Sequence, residues 1–431
     1  MNHLSQTRIH SLPNGMQICA ISYPGVKTIN LRSIVSVGSA HENLQNSGIS
    51  HFLEHMMFRG NTQLGSSHQL NLKMEEMGGD LNAVTSFDFT EFWLDYHFDY
   101  FELGLKRFCH FMQEPLFEDL EIERSIILEE LKADYNENNQ LIDVDGISAA
   151  KLWPDHGIGR SVSGTRSSIE NITREDLVDW YRTYYQPGNM LIGVTGDIEP
   201  DKTVQLFSKL FSQKSVSKRQ NYPTVSQTPM EKQILLIEDK DNQYDLQWTF
   251  PHYPMTGDLR IQYQLIRRIL NDGSSSRLQR LIREEKGLVY EISAEMLYFD
   301  NGATLSILSQ IGQDRLPELI TVLTDLINDL IETGVTSEEL NLAKRRHRIA
   351  LDCNQDSAQG ILYETMAPLI YPQLFSYSEV LQKITAISLN EVNASLCSLL
   401  QQDQTCFTIV GPSPEKHRQR LEQLLNPWVR M

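Results

Sequence analysis

The sequence predicts an α+β fold made of two tandem homologous domains, each a largely antiparallel sheet with helices packed on one face. Three observations indicate this. Strand-like and helix-like segments are interleaved irregularly, which is typical of α+β layering. The second half of the chain repeats the order of elements found in the first half. A polar, proline-containing stretch without apolar periodicity separates the two halves. A chain of 431 residues is long enough for two such domains.

Each half begins with strands, continues with long amphipathic helices and ends with a strand before a closing helix. The strand segments are short and apolar, whereas the helices have apolar residues at helical spacing. In the first half we expect strands at 16–22, 28–37 and 190–195 and a helix at 101–112. In the second half we expect strands at 234–238, 246–250 and 405–410 and a helix at 316–333.

The duplication can be followed residue by residue. Gly196 and Gly411 each follow a late strand and are 215 positions apart, and the same offset separates Ile172 from Ile387. Similarity at a fixed offset indicates a repeated structural unit. We therefore expect a first domain, a linker and a second domain at 1–213, 214–230 and 231–431.

Composition narrows the class of protein. The formal net charge of −18 argues against a nucleic-acid partner. No apolar run approaches the roughly 18 residues of a membrane helix, and the first residues resemble neither a secretory nor a transit signal. The five scattered cysteines argue against a disulfide framework. We expect a cytoplasmic protein without membrane partners. If acidic groups also line a catalytic chamber, cationic peptides would be favoured.

The most informative motif is His51-Phe52-Leu53-Glu54-His55. On a helix, residues four apart share a face, so both imidazoles could bind one metal ion. Glu54 lies on the same side, within reach of a metal-bound water. The order H-x-x-E-H inverts the zinc-protease motif H-E-x-x-H. The alternative is a helix with two ordinary histidines.

A hydrolytic zinc site takes a third protein ligand, and 119–131 contains several Glu residues at helical spacing. Here the chain resembles the pitrilysin-type inverzincins, the family of insulin-degrading enzyme and the mitochondrial processing peptidases. In that family a ligand Glu follows the motif at a characteristic distance. The 74 residues between His55 and Glu130 match it, which selects Glu130 over Glu129. The family's second Glu matches Glu123, which would support Glu130 or a ligand histidine; a solvated acidic face is the alternative for Glu123.

The resemblance implies two domains facing each other across a chamber. It also implies one zinc ion per chain, bound by His51, His55 and Glu130, with Glu54 as general base on the zinc-bound water. The second half does not repeat this site. Its aligned positions are Gln264, Arg267, Arg268 and Arg345, and arginine cannot be a zinc ligand.

Two further segments resemble the family. The segment 273–290 carries Arg283 seven residues before Tyr290. By resemblance, Arg283 holds a substrate carbonyl and Tyr290 stabilises the oxyanion; a surface Arg and a core Tyr are the alternative. Asn82 and Ala83 match the edge strand on which relatives bind an extended peptide. A structural hairpin is the alternative there.

The leading hypothesis is a zinc-dependent endopeptidase that hydrolyses peptides or short unfolded segments within a closable chamber. Its task could be oligopeptide breakdown or the processing of a precursor's leader. The alternative is a catalytically idle partner or scaffold subunit of a heterodimeric peptidase. A structural zinc site is disfavoured because no cysteine neighbours the motif.

The chain has half the length of single-chain relatives, so we expect a homodimer, with a heterodimer containing a related chain as the alternative. The substrate and cleavage rule do not follow from the sequence.

Overall fold

The computed structural model describes residues 6–211, 218–220, 225, 233–299, 301–400 and 405–425. Most of the expected linker 214–230 is therefore outside the described residues. The chain divides into two compact units. Unit one comprises Met1–Leu131, Arg160–Pro223 and Cys353–Pro372, and unit two comprises Lys132–Gly159, Thr224–Asp352 and Gln373–Met431.

Unit one is built on a six-stranded sheet with the order β1-β2-β8-β3-β7-β6. Only the pair β2–β8 is parallel, and the other neighbours are antiparallel. A small separate hairpin is formed by β4 and β5. The strands are β1 Thr7–Ser11, β2 Gln17–Ser22, β3 Thr28–Val35, β4 Gly60–Asn61, β5 Gly65–Ser66, β6 Asp80–Thr85, β7 Thr90–His97 and β8 Met190–Gly196.

Unit two is built on a five-stranded sheet with the order β11-β12-β10-β13-β9. Again a single neighbouring pair, β13–β9, is parallel and the others are antiparallel. The strands are β9 Gln233–Glu238, β10 Gln243–His252, β11 Ile292–Phe299, β12 Gly302–Gly312 and β13 Cys406–Gly411. The order of unit one therefore recurs, with β6, β7, β3, β8 and β2 replaced by β11, β12, β10, β13 and β9.

The helices account for the largest share of the described chain. In chain order they are α1 Ile49–Met57, α2 Ser67–Glu75, α3 Phe101–Phe111, α4 Leu120–Leu131, α5 Val144–Leu152, α6 Arg166–Asn171, α7 Arg174–Tyr184, α8 Pro200–Leu210, α9 Gly257–Leu270, α10 Leu316–Thr333, α11 Ser337–Asn354, α12 Ala358–Ile370, α13 Tyr377–Ala386, α14 Leu389–Leu400 and α15 Arg418–Leu425. Within the described ranges, no helix has the combination of length and apolarity that crossing a lipid bilayer requires.

The predicted α+β class is confirmed, and so are the particular elements. Helix α10 has the expected bounds, whereas β10 extends the expected strand 246–250 at both ends. The glycines that revealed the repeat also adopt the same conformation. Gly196 has φ of +155° and Gly411 has φ of +151°, a region that favours glycine. The carbonyl of each accepts a hydrogen bond that fixes the strand end, from the amides of Tyr23 and Asp239 respectively.

The compact units differ from the linear halves 1–213 and 231–431 because two segments exchange between them. Helix α5 belongs to unit two, where it packs on β13 and β10 and Ser148 Oγ lies 2.7 Å from Thr408 Oγ1. Helix α12 belongs to unit one, where it packs on β8. Amphipathic periodicity predicts a buried helix face, but it does not specify which sheet covers that face.

Glycine at position 193 of β8 creates the space for α12. A Cβ on Gly193 would lie 2.1 Å from Met366 Sδ and 3.0 Å from Leu362 Cδ1. Two hydroxyls add polar anchors, because Tyr363 Oη donates to Glu91 Oε1 at 2.6 Å and Tyr371 Oη donates to Asp88 Oδ2 at 2.5 Å. Unit one therefore depends on α12 to cover part of its sheet.

We predict that Leu362→Ala lowers the free energy of unfolding by about 2–5 kcal/mol, because Leu362 is fully buried and its removal leaves a cavity over β8. Leu72→Ala is the matched control in the same unit. Leu72 is 48% exposed, so its truncation should cost less than about 1 kcal/mol. Urea unfolding followed by circular dichroism measures both. Equal losses in the two variants would contradict the docking of α12 described above.

Candidate metal centre

Helix α1 carries the motif residues His51, Glu54 and His55. Its apolar residues recur at helical spacing and form one buried face: Ile49, Phe52, Leu53, Met56 and Met57. The three motif residues are only partly buried, on the remaining surface of the helix. The expected helix is thus present, and it presents both imidazoles on one side.

Three potential ligand atoms converge beside this helix. His55 Nε2 lies 3.2 Å from His51 Nε2 and 3.7 Å from Glu130 Oε2 of α4. All three atoms lie within 4.8 Å of one another. Zinc–ligand bonds of about 2.0–2.2 Å in a tetrahedron place ligand atoms about 3.3–3.6 Å apart. Two imidazole nitrogens and one carboxylate oxygen therefore fit zinc in chemical type, and the two separations from His55 Nε2 are close to this spacing. No other group of this kind occurs among the described residues.

Glu123 holds the second ring nitrogen of His55. Its Oε1 lies 2.9 Å from His55 Nδ1, and its Oε2 accepts a hydrogen bond from Arg59 Nε. Burial would raise the pKa of Glu123, but the hydrogen bonds from His55 and Arg59 outweigh it and lower the pKa. With Nδ1–H donating to this carboxylate, the lone pair of His55 Nε2 faces the other ligand atoms. Glu123 thus orients a candidate ligand histidine, and Glu130 lies two helical turns farther along α4.

The two histidines differ in their preference for a proton. Burial, together with the neighbouring charge of His55, lowers the pKa of His51 to about 4, so His51 is neutral at neutral pH. Burial also opposes a proton on His55, but the hydrogen bond to Glu123 and the charge of Glu130 outweigh it and raise the pKa of His55. A metal ligand must be the neutral imidazole. A second proton on the His55 ring would therefore compete with metal binding at this site.

Glu54 lies near enough to His55 and Glu130 for their charges to affect its pKa, but its hydrogen-bond partner is a different residue. Its Oε2 accepts a hydrogen bond from Thr85 Oγ1. Burial raises the pKa of Glu54, against the opposing effects of Thr85 and His55. Thr85 is the last residue of β6 and is itself buried. The carboxylate of Glu54 is thus directed by a residue on the edge strand of the sheet.

The strand β6, which contains Asn82 and Ala83, is an edge strand of the unit-one sheet. It pairs with β7 on one side only, and its residues alternate between exposed and partly buried up to Thr85. Asn82 Nδ2 donates to Asp80 Oδ1 at 2.9 Å. Edge strands leave backbone amides and carbonyls available for another strand. The structure places both predicted residues on such an edge.

Arg283 and Tyr290 are adjacent in unit two. Arg283 belongs to a π-helical segment, Gln279–Glu285, and its guanidinium carbon lies 5.6 Å from the centre of the Tyr290 ring. Tyr290 is 86% exposed. A large aromatic side chain with this exposure does not serve the core of its unit, so the alternative of a core tyrosine is wrong.

In unit two, α9 and α11 correspond by the sequence repeat to α1 and α4, and they carry ion pairs in place of a candidate metal group among the described residues. On α9, Arg268 Nη1 donates to Asp272 Oδ2 at 2.6 Å, and Arg268 Nε donates to His347 Nδ1 at 3.1 Å. On α11, Arg346 Nε donates to the same Asp272 oxygen at 2.9 Å. The guanidinium groups thus neutralise the carboxylate without a metal ion.

Sequence reasoning missed two residues of the site, Arg59 and Thr85. Arg59 is four residues after His55, and helical spacing could have placed it beside Glu123. Thr85 had no comparable signal, because its contact with Glu54 joins residues 31 positions apart. Contacts of that kind depend on how the sheet and helix pack.

Two models of known protein families match most of the chain. The family model described as "Insulinase (Peptidase family M16)" matches residues 18–166. The model described as "Peptidase M16 inactive domain" matches residues 171–346. The first match contains the motif helix and Glu130, and most of the second lies in the half of the chain whose described residues include no candidate metal-binding group.

Relatives and solved structures match along nearly the whole chain. An uncharacterized zinc protease of Mycobacterium leprae is 25% identical, over 94% of this chain and 92% of its own length. A protease of Helicobacter pylori superimposes with a TM-score of 0.85 at 18% identity, covering 95% of this chain and 100% of its own. A Pseudomonas fluorescens structure titled as a peptidase M16 inactive domain also gives 0.85 at 18% identity, covering 95% and 98%. The chain is therefore a member of the pitrilysin-type peptidase family, M16, of the size found in bacteria.

Proposed function

We propose that this protein is a zinc-dependent endopeptidase that hydrolyses peptides or short unfolded segments. One observation carries the proposal. His51, His55 and Glu130 place three ligand atoms within 4.8 Å of one another, while the neighbouring Glu54 is held apart by Thr85. A hydrolytic zinc site needs three ligands and a separate proton acceptor. The Mycobacterium leprae relative is named a zinc protease, which supports the choice of metal.

Zinc bound by these ligands would act as a Lewis acid toward a water molecule and toward the scissile carbonyl. Glu54 accepts the proton of the attacking water and transfers it to the leaving amine. Burial raises the pKa of Glu54 above that of an ordinary glutamate, which brings it closer to the operating pH that suits a general base. Glu123 keeps His55 in the tautomer that leaves Nε2 available.

The edge strand β6 binds the substrate in this proposal. A peptide that adds to β6 forms backbone hydrogen bonds irrespective of its side chains. Asn82 and Ala83 contribute the edge positions, and Thr85 ends the same strand at Glu54. A peptide bound along this edge would extend toward the proton acceptor. The mode of binding favours extended or unfolded segments over folded proteins.

Arg283 and Tyr290 complete the set of substrate-binding residues in the proposal. The exposed Tyr290 hydroxyl would donate to the oxyanion of the tetrahedral intermediate, and the Arg283 guanidinium would hold a substrate carbonyl. The Tyr290 side chain, which carries the hydroxyl, is 86% exposed. The guanidinium carbon of Arg283 lies 5.6 Å from the centre of the Tyr290 ring. Loss of such a donor typically costs about 3 kcal/mol of transition-state stabilisation.

Size and composition support proposals for the assembly and the location of the protein. We propose a homodimer that encloses the substrate, because one chain contains both the metal group and the Arg283–Tyr290 pair; a heterodimer with a related chain is the alternative. We propose a cytoplasmic location and peptide substrates, with cationic peptides favoured by the net charge of −18. Native mass measurement distinguishes the two assemblies.

A second candidate function is that of a catalytically idle partner subunit. The Pseudomonas fluorescens structure with the same fold is titled as an inactive domain, which motivates this alternative. Incubation of the purified protein with a mixed peptide pool, with and without a chelator, separates the two. Mass spectrometry should detect chelator-sensitive cleavage if the endopeptidase proposal holds. A zinc-loaded protein that leaves the whole pool intact would favour the idle subunit.

We predict that His55→Ala removes the metal, because it deletes one of three ligands and leaves Glu123 without its imidazole partner. The wild-type chain should contain about one zinc ion per chain, and the variant close to none. His97→Ala is the control, because His97 is exposed on β7 and pairs with Asp99. Elemental analysis of the dialysed proteins measures the metal content. A full complement of zinc in His55→Ala would contradict the proposed ligand set.

We predict that Glu54→Gln retains zinc but lowers kcat at least about 100-fold, because the amide cannot accept the proton of the attacking water. The control is Glu129→Gln, which neutralises an exposed glutamate on α4 and should leave kcat unchanged. Peptide hydrolysis is measured on metal-loaded proteins. If the metal-loaded Glu54→Gln protein turns over normally, Glu54 is not the base.

We predict that Thr85→Val lowers kcat about tenfold or more with little change in KM, because a hydrogen bond to a charged group is lost while side-chain shape is kept. Thr85→Ser retains the hydroxyl and should restore most of the activity. This difference separates positioning of Glu54 from a packing role of the methyl group. Equal activity of the Val and Ser variants would show that the hydroxyl does not orient Glu54.

A further inference from the structure

A buried carboxylate lies at the amino-terminal end of the metal helix. Glu42 is 5% exposed, and its two oxygens accept hydrogen bonds from two backbone amides of the first turn of α1. Oε2 accepts from Gly48 N at 2.7 Å and Oε1 accepts from Ser50 N at 2.9 Å. The first amides of a helix have no partner within the helix. Gly48, the N-cap residue, has no side chain to satisfy them, so Glu42 does so from outside.

The backbone around Gly48 requires this arrangement. Gly48 has φ of +87°, and a Cβ there would lie 2.7 Å from Ser163 O and 2.8 Å from Gly164 Cα. A capping serine or aspartate is therefore sterically excluded at the N-cap. Arg160 donates a hydrogen bond to the backbone carbonyl of Glu42. Burial raises the pKa of Glu42 to about 7, against the opposing effects of the Ser50 and Gly48 amides and of the Arg160 charge. Glu42 is thus fixed on both its backbone and its side chain.

The two ligand histidines of α1 are not held in the same way. His55 is oriented by Glu123 through Nδ1. In contrast, His51 Nδ1 is buried and has no hydrogen-bond partner among the described residues. The position of the His51 ring therefore depends on the backbone from which it projects. Ser50, whose amide binds Glu42, directly precedes His51.

We propose that Glu42 is a positioning residue for the metal centre: by binding the Gly48 and Ser50 amides, it fixes His51 relative to His55 and thereby sets the affinity for zinc. Glu42 orients His51 indirectly, by binding backbone amides that precede it. Glu123 orients His55 directly, by binding its ring nitrogen. Displacement of this first turn would change the 3.2 Å separation of the two Nε2 atoms. The inference rests on the zinc site proposed above.

The test is the zinc affinity of the full-length Glu42→Gln variant, measured by competition with a chromophoric chelator. We expect at least about tenfold weaker binding, as for other residues that orient metal ligands. The absorption spectrum of the cobalt-substituted protein should also change, because the spectrum reports ligand geometry. The control is Glu379→Gln in unit two. Glu379 accepts from the Ser376 amide at the start of α13 at 2.8 Å, so its replacement weakens a helix cap but should not alter zinc affinity.

The possible outcomes separate this inference from the proposed function. Zinc affinity of Glu42→Gln within about twofold of wild type would overturn the inference, whether or not the protein cleaves peptides. A wild-type protein that binds zinc but cleaves nothing would overturn the endopeptidase and leave the role of Glu42 standing. If Glu42→Gln does not fold, the zinc affinity of Glu42→Asp tests the inference instead. Asp retains the charge but is one methylene shorter, so unchanged affinity in Glu42→Asp together with an unchanged cobalt spectrum would also overturn the inference.

Discussion

The candidate metal centre depends on the hydrogen bonds through which Glu123 of α4 joins that helix to α1 and to the turn that follows α1. Its carboxylate binds His55 of α1 and Arg59, two residues beyond the end of α1. Glu130, two turns farther along α4, is thereby brought to 3.7 Å from His55. Without Glu123, His55 would lose the hydrogen bond at Nδ1 and Arg59 would lose its carboxylate partner. When metal ligands come from residues far apart in the chain, hydrogen bonds of this kind are needed to hold them in position.

Much of this site could be predicted from the sequence because its main parts are local. His51, Glu54 and His55 lie within two turns of one helix, and helical periodicity alone puts them on a common side. Glu123 and Glu130 are likewise related by periodicity, although only the family resemblance connected them to α1. Thr85 and Glu42 could not be predicted, since both act through contacts between segments that only the packed structure brings together.

The fold shows the same division between local and non-local information. The strand order, the single parallel pair and the two matching glycines followed a duplication that was already visible as an offset of 215 residues. The exchange of α5 and α12 was not visible. Helix α5 buries Ser148 and Leu152, whereas α12 buries Ile361, Leu362 and Met366, and neither set of residues specifies which sheet covers it. Their placement is decided by the fit of particular surfaces, such as Leu362 and Met366 against Gly193.

The exchange of α12 has a consequence for the order in which the chain can mature during synthesis. Unit one includes Cys353–Pro372, which emerges from the ribosome long after β8. Until then the apolar patch around Gly193 has no cover, and a nascent chain released early would expose it to solvent and to other chains. The amino-terminal half alone therefore lacks the helix that covers β8. It becomes complete only when most of its carboxy-terminal counterpart has been made.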